Sequence, residues 1–189
     1  MKSIDFYYDY GSPTAYLAWT QLSGLPNDKF KVSFIPVLLG GIFKATDNKP
    51  PGLVIPKAKW MFKDINKYAN KYQVEFNMND AFPVNTLYLM RGAVYANKIN
   101  LLEKYNSVMF KAMWVKNINL NEPKNIISVL EDNGFISKDF LEAAEDNTIK
   151  QALKNNTSKA VDLGIFGVPS FIVNGELYFG QDRMEWFIN

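Results

Sequence analysis

Ser3-Ile4-Asp5-Phe6-Tyr7-Tyr8-Asp9-Tyr10 runs directly into Gly11-Ser12-Pro13-Thr14 and then into Ala15-Tyr16-Leu17-Ala18-Trp19. The first run is aromatic and β-branched, the signature of a strand. Gly11 and Ser12 interrupt it. Pro13 suits the first turn of a helix, where its missing N–H is no loss. Ser12 is then an N-cap whose hydroxyl accepts from an orphan backbone N–H. Lys31-Val32-Ser33-Phe34-Ile35-Pro36-Val37 alternates and reads as a second strand. A strand, a helix and a strand in close succession predict two parallel strands joined by a right-handed crossover. This handover also leaves Ser12 at a helix N-terminus, where free N–H groups and the helix dipole attract an anion. Read alone, Ser12 is better taken as a cap and nothing more.

Composition narrows the chemistry. The 189 residues contain no cysteine and no histidine. Disulfides, CxxC redox chemistry and cysteine-based metal sites are excluded. The commonest general base and metal ligand is missing too, and with it every Ser-His-Asp arrangement. No metal site is expected. An enzyme built on this chain must use Ser, Tyr, Lys, carboxylates or a borrowed group. The net charge is +2, and 19 of the 21 basic residues are lysine. That is not the Arg-rich basic footprint of a nucleic-acid binder. No apolar run approaches the length of a membrane span, and the N-terminus enters a strand with no room for a signal peptide. A soluble cytoplasmic protein is expected, with neither nucleic acid nor membrane as partner.

Beyond the second strand the pattern turns helical. Leu38 to Thr46 leads into a stiff loop, Asp47-Asn48-Lys49-Pro50-Pro51-Gly52. Ile55 to Tyr72 carries Trp60, Phe62, Ile65, Tyr68 and Ala69 as an apolar stripe. Further helices are expected from Thr86 to about Lys98, Leu102 to Val115, Glu122-Pro123 to before Gly134, from Ser137, and, opened by Asp146, from Thr148 to Leu163, with Gly164 as the closing cap. Ser170-Phe171-Ile172-Val173 and Glu176-Leu177-Tyr178-Phe179 flank Asn174-Gly175, a strong hairpin signal. A short helix from Arg183 to Phe187 closes the chain. The order β-α-β, helices, α-β-β-α predicts an α/β protein with one mixed sheet and an inserted helical block.

Several segments carry a family resemblance: Asp5 to Ala18, Phe43 to Pro51, Phe82-Pro83-Val84-Asn85-Thr86-Leu87, Phe166-Gly167-Val168-Pro169-Ser170-Phe171, and Gly175 to Arg183. Together they resemble the 2-hydroxychromene-2-carboxylate isomerases and kappa-class glutathione transferases, the branch of the thioredoxin-like (DsbA-like) fold in which a helical domain is inserted. The resemblance implies a thioredoxin-like domain over residues 1–43 and 156–189 and a helical domain over 44–155. It places a cis proline at Pro169, ahead of the third strand, and sets Ser12 where the disulfide oxidoreductases carry a cysteine. It also implies glutathione as the borrowed thiol, a small aromatic or electrophilic second substrate, and a homodimer.

The same resemblance suggests roles. Ser12 would donate to the thiolate, with the helix start adding its dipole. Val168 would pair with the cysteinyl main chain, as an added strand does. Phe179, Gly180, Gln181 and Asp182 would hold the γ-glutamyl end, with Gly180-Gln181-Asp182 as a second helix N-terminus and Asp182 meeting the ammonium. Lys44, Asn48 and Asn85 would face the second substrate. From the residues alone, Asp182 and Asn85 are also ordinary helix caps, Asn48 a turn residue and Lys44 a solvated lysine. Tyr7, Tyr8 and Tyr10 invite a tyrosine-activated thiol, but strand alternation assigns Tyr8 and Tyr10 to one face, Tyr7 to the other, and all three to the core. Arg183 is read as a structural partner for a carboxylate such as Asp9. Three functions follow: a glutathione-dependent isomerase, favoured by the loop Lys44-Ala45-Thr46-Asp47-Asn48; a kappa-type transferase; and a thiol-peptide binding protein without chemistry.

Overall fold

A computed structural model describes residues 1–188. Strand β1 (Lys2–Tyr8) is followed by helix α1 (Pro13–Leu22), β2 (Phe30–Pro36) and α2 (Leu39–Thr46). After a one-turn 3-10 segment (Pro51–Leu53) come α3 (Ile55–Tyr72), α4 (Leu87–Lys98), α5 (Leu102–Trp114), α6 (Pro123–Asp132), α7 (Ser137–Glu145) and α8 (Asn147–Asp162). The chain then returns to the sheet with β3 (Ser170–Val173) and β4 (Glu176–Phe179). A second 3-10 turn (Gln181–Arg183) and a single turn of helix, α9 (Glu185–Ile188), finish it.

The sheet order is β2-β1-β3-β4. β1 and β2 are parallel, as a β-α-β crossover requires, and the other two pairs are antiparallel. Register decides where loops meet. Tyr8 pairs with Pro36, Tyr7 with Ser170, and Ser170 with Phe179. The ends of β1, β2 and β4 and the start of β3 therefore lie at one edge of the sheet. The turns at 9–12, 37–39, 166–169 and 179–182 converge there. Asn174 and Gly175 both have positive φ, 53° and 82°, the backbone that a two-residue hairpin needs.

Each face of the sheet has its own core. Phe6, Tyr8 and Phe171 face the larger one, which α1, α4 and α5 complete. Tyr7 packs with Val37, Ile42, Ala160, Ile165 and Val168 on the other. This is the split that strand alternation requires. Tyr8 and Tyr10 hydroxyls both donate to Asn106 Oδ1, at 2.7 and 2.6 Å, and Trp114 Nε1 donates to the Tyr10 carbonyl. Helix α8 starts as expected, with Asp146 accepting from the Thr148 and Ile149 amides.

Two expectations differ. Trp60 is 64% exposed, whereas Ile65 and Ala69 are buried. Five residues turn a helix by about 500°, so Trp60 lies roughly 140° around from Ile65. The closing helix is two pieces, the 3-10 turn and α9.

Helices α4 and α5 approach closely because Gly92 has no side chain. A Cβ there would lie 2.2 Å from Tyr105 Oη. Tyr105 cannot swing away easily: its hydroxyl donates to Leu89 O and its ring stacks on Phe140 at 5.1 Å. Gly92→Ala is expected to destabilise the protein by about 2 kcal/mol despite its better helix propensity. Gly40→Ala in α2, where the new methyl meets nothing within 4 Å, should cost nothing. Urea unfolding of both variants checks the contrast.

Candidate active site

Ser12 is the N-cap of α1 and is 5% exposed. Its Oγ accepts from the Ala15 amide at 3.1 Å, so its own hydrogen must point elsewhere. Two acceptors are in reach: Thr14 Oγ1 at 3.0 Å and the Val168 carbonyl at 3.2 Å. Pro13 brings no N–H, and the Tyr16 amide is taken by Ser12 O. These bonds leave the Thr14 N–H as a first-turn donor. The Ser12 edge therefore offers hydrogen-bond donors and a positive dipole end, a set that suits an anion.

Val168–Pro169 is cis. Pro169 O accepts from the Gly180 amide at 3.0 Å, which ties the turn before β3 to the turn after β4. Gly180 has φ of 100°, a backbone that favours glycine. Phe166 and Phe179, both part-exposed, face each other with centroids 4.6 Å apart beside this turn. Asn48 Nδ2 donates to Phe166 O at 2.8 Å, while its Oδ1 accepts from the Lys49 amide. Gln181 is buried, its Oε1 accepting from Tyr72 Oη at 2.6 Å. Ser12, Val168, Asn48 and the Phe179–Asp182 segment are thus joined by one connected set of contacts.

Lys44 stands exposed in the last turn of α2, where the helix dipole favours a cation. Asn85 is held elsewhere. Its Oδ1 accepts from Leu87 N, its own N–H donates to Asn121 Oδ1, and it lines a cavity of 360 Å³ walled by Tyr88, Tyr105 and Phe140. Ser12 is not part of that lining.

Sequence reasoning missed Asp9 and Thr14. Asp9 is 1% exposed. Its carboxylate accepts from Gly11 N at 2.9 Å, from Leu39 N at 2.8 Å and from the Thr86 hydroxyl. It fastens the Ser12 turn to the starts of α2 and α4. Burial pushes its carboxyl above the usual carboxylate value, and these bonds only partly pull it back. The one signal was an acidic residue inside an aromatic run. Thr14 gave none, because any residue can follow a helix-opening proline. Burial also drives the Tyr8 and Tyr10 hydroxyls up. They stay protonated as donors to Asn106, which speaks against a tyrosine-activated thiol.

A family model, described as a DSBA-like thioredoxin domain, matches residues 3–189. The chain belongs to this DSBA-like thioredoxin family. It is 29% identical to glutathione S-transferase kappa 1 of Rattus norvegicus, over 97% of this chain and 88% of that one. It is 25% identical to the 2-hydroxychromene-2-carboxylate isomerase of Sphingobium xenophagum, over 98% of this chain and 95% of that one. A solved 2-hydroxychromene-2-carboxylate isomerase superposes with a TM-score of 0.87 at 23% identity, covering 97% of this chain and 91% of that one. A probable DsbA oxidoreductase from Streptomyces coelicolor gives 0.76 at 16% identity, covering 100% of this chain and 87% of that one. Within this DSBA-like frame, two local expectations are corrected. Gly180-Gln181-Asp182 opens a 3-10 turn of three residues, not a full helix. Arg183 pairs with its neighbour Asp182 at 3.3 Å and not with Asp9, which is buried and already satisfied. Among the described residues no helix is long and apolar enough to cross a membrane.

Proposed function

We propose that this protein is a glutathione-dependent isomerase of the 2-hydroxychromene-2-carboxylate type. The observation that carries the reading is the 3.2 Å contact between Ser12 Oγ and the Val168 carbonyl. It joins a hydroxyl at a helix start to backbone suited to pairing with a peptide-like thiol. The chain has no thiol of its own, and a relative named as a glutathione transferase supports glutathione as the source of one. The donors around Ser12 fit a sulfur anion, with no acidic side chain among its hydrogen-bond partners.

When bound, glutathione supplies a thiolate that adds to a conjugated double bond and later leaves, so the bond turns while it is single and no glutathione is consumed. The chain's own groups do the rest. Ser12 turns its hydroxyl from Val168 O toward the sulfur and lowers the thiol pKa from its free value of about 8.5. No base stands ready to make Ser12 itself the nucleophile. Val168 aligns the cysteinyl main chain. The turn after Phe179 and Gly180 presents the Gln181 and Asp182 amides to the γ-glutamyl carboxylate and the Asp182 side chain to its ammonium, while the Gly180 amide is spent on Pro169 O. Lys44 meets the substrate carboxylate or the carbonyl oxygen that gains charge. Asn48 acts by holding the Phe166 backbone, and Asn85 by accepting from the Leu87 amide that opens α4, rather than by touching substrate.

The near-complete overlap with the Sphingobium isomerase, 95% of its length, supports isomerase over transferase. The 29% identity to the rat kappa enzyme favours the second reading, a transferase acting on electrophiles. Turnover of 2-hydroxychromene-2-carboxylate with the glutathione pool unchanged is the expected result. Conjugation of a chloronitrobenzene without isomerisation would establish the transferase instead. Glutathione binding with neither activity would leave a binding protein. The homodimer that the resemblance implies belongs to the same proposal, and sedimentation tests it.

A further inference from the structure

A second cavity, of 520 Å³, lies between α2, α4 and α8. Neither Ser12, Val168 nor Asp182 lines it. Its volume is in the range of ligand pockets, about 300–1,000 Å³. One face of α8 forms its length: Lys150, Leu153, Lys154, Thr157 and Val161 recur at helical spacing over roughly 16 Å. Leu38 and Ala45 come from the α2 side, and Leu87 and Arg91 from α4.

The two ends differ in chemistry. Leu38, Leu87, Leu153 and Val161 make the middle apolar. Arg91, Lys150 and Lys154 gather at one end. The Arg91 side chain is only 16% exposed. Its Nη1 donates to Ala144 O at 3.0 Å, but its Nε is buried without a hydrogen-bond partner among the described residues. A buried guanidinium with an open donor is costly unless an acceptor arrives. Glu145 does not supply one: it lies 3.9 Å from Nη1, and its two oxygens already bind Lys150 Nζ and Tyr88 Oη. Arg91 and Lys150 thus share one carboxylate, and Lys154 stands beside them on the same face of α8. The acid that lines the groove itself, Asp162, is eight residues along α8 from Lys154, about 12 Å away.

We propose that this groove binds a carboxylate carried on an apolar body, with the head at Arg91 and Lys154 and the body along Leu38, Leu87 and Leu153. Arginine matches a carboxylate in a planar fork, which a free ammonium cannot do. A bare anion would leave the apolar wall unexplained, and a neutral ligand would leave the cations unexplained. The site is distinct from the thiol site and does not depend on it.

Octanoate is the probe, titrated into the full-length protein by calorimetry, with acetate and octanol as head-only and tail-only controls. One octanoate per chain is expected, with acetate and octanol each at least about tenfold weaker. Arg91→Gln and Ala45→Trp should each weaken octanoate about tenfold. Ala45→Trp fills the groove from an exposed position and leaves every cation in place, so it decides the matter if Arg91→Gln fails to fold. Octanoate affinity should be unchanged in Ser12→Ala. No binding at millimolar octanoate overturns the proposal. So does affinity that survives both groove substitutions, affinity lost in Ser12→Ala, or acetate binding as tightly as octanoate.

Discussion

Replacing Ser12 by alanine is expected to lower kcat/KM about 100-fold, the size of effect seen when one preorganised donor to a developing or bound anion is lost. The hydroxyl has one free hydrogen, because its lone pair already takes the Ala15 amide. Without that hydrogen the thiol pKa rises toward its free value of about 8.5. The acid limb of the pH–rate profile should therefore move to higher pH, and ultraviolet absorbance of the bound thiolate should show the same shift. Ser12→Thr keeps the hydroxyl and should keep most of the rate. Losing the cap also removes about 1 kcal/mol of stability, too little to unfold a domain of this size at 25 °C. Unchanged turnover and an unchanged thiol pKa in a folded Ser12→Ala protein would remove the catalytic role.

Asp9→Ala is expected to be the most damaging single change to stability, about 3 kcal/mol. It strips the acceptor from Gly11 N, Leu39 N and the Thr86 hydroxyl at once, and buried donors left without partners cost about 1–3 kcal/mol each. Relief from burying a carboxylate offsets part of that loss. Asp9→Asn keeps one acceptor oxygen and should lose roughly half as much. The pH dependence has a definite sign. The folded state raises the Asp9 carboxyl above its ordinary 3.8, so the folded chain holds that proton more tightly than the unfolded chain. The part of the stability that comes from holding that proton is then fully present below pH 3.8 and is lost as pH rises through the folded value, while the bonds from Gly11 N and Leu39 N remain. Urea unfolding across that interval should show wild type losing ground to Asp9→Asn as pH increases. Because the Ser12 turn hangs on this carboxylate, turnover should fall with stability in Asp9→Ala.

The parts readable in the sequence are those whose cause is local. Ser12-Pro13 opens a helix by its own chemistry, Asp146 caps α8 through amides two and three residues away, and Asn174-Gly175 supplies the positive φ of its hairpin. The pairing of Ser12 with Val168 is long-range. It was legible because each half carries a motif and because the order of strands brings their ends to one edge. Asp9 was not legible, since its partners Leu39 and Thr86 lie on separate helices and neither advertises a need for an acceptor. Trp60 was misplaced because an apolar stripe read by type alone accepts a residue that the true helical phase sets on the far side. Arg183 found its carboxylate next door, and Asn48 lost its turn-only reading once the Phe166 carbonyl came within reach.

The convergence of turns at one sheet edge has a consequence for biosynthesis. Ser12 leaves the ribosome well before Val168, whose carbonyl it touches, and before the β3–β4 hairpin that follows Val168. A nascent polypeptide stalled anywhere before Phe179 thus carries the Ser12 hydroxyl without the backbone it contacts, and the Ser12–Val168 edge forms only after the hairpin is made.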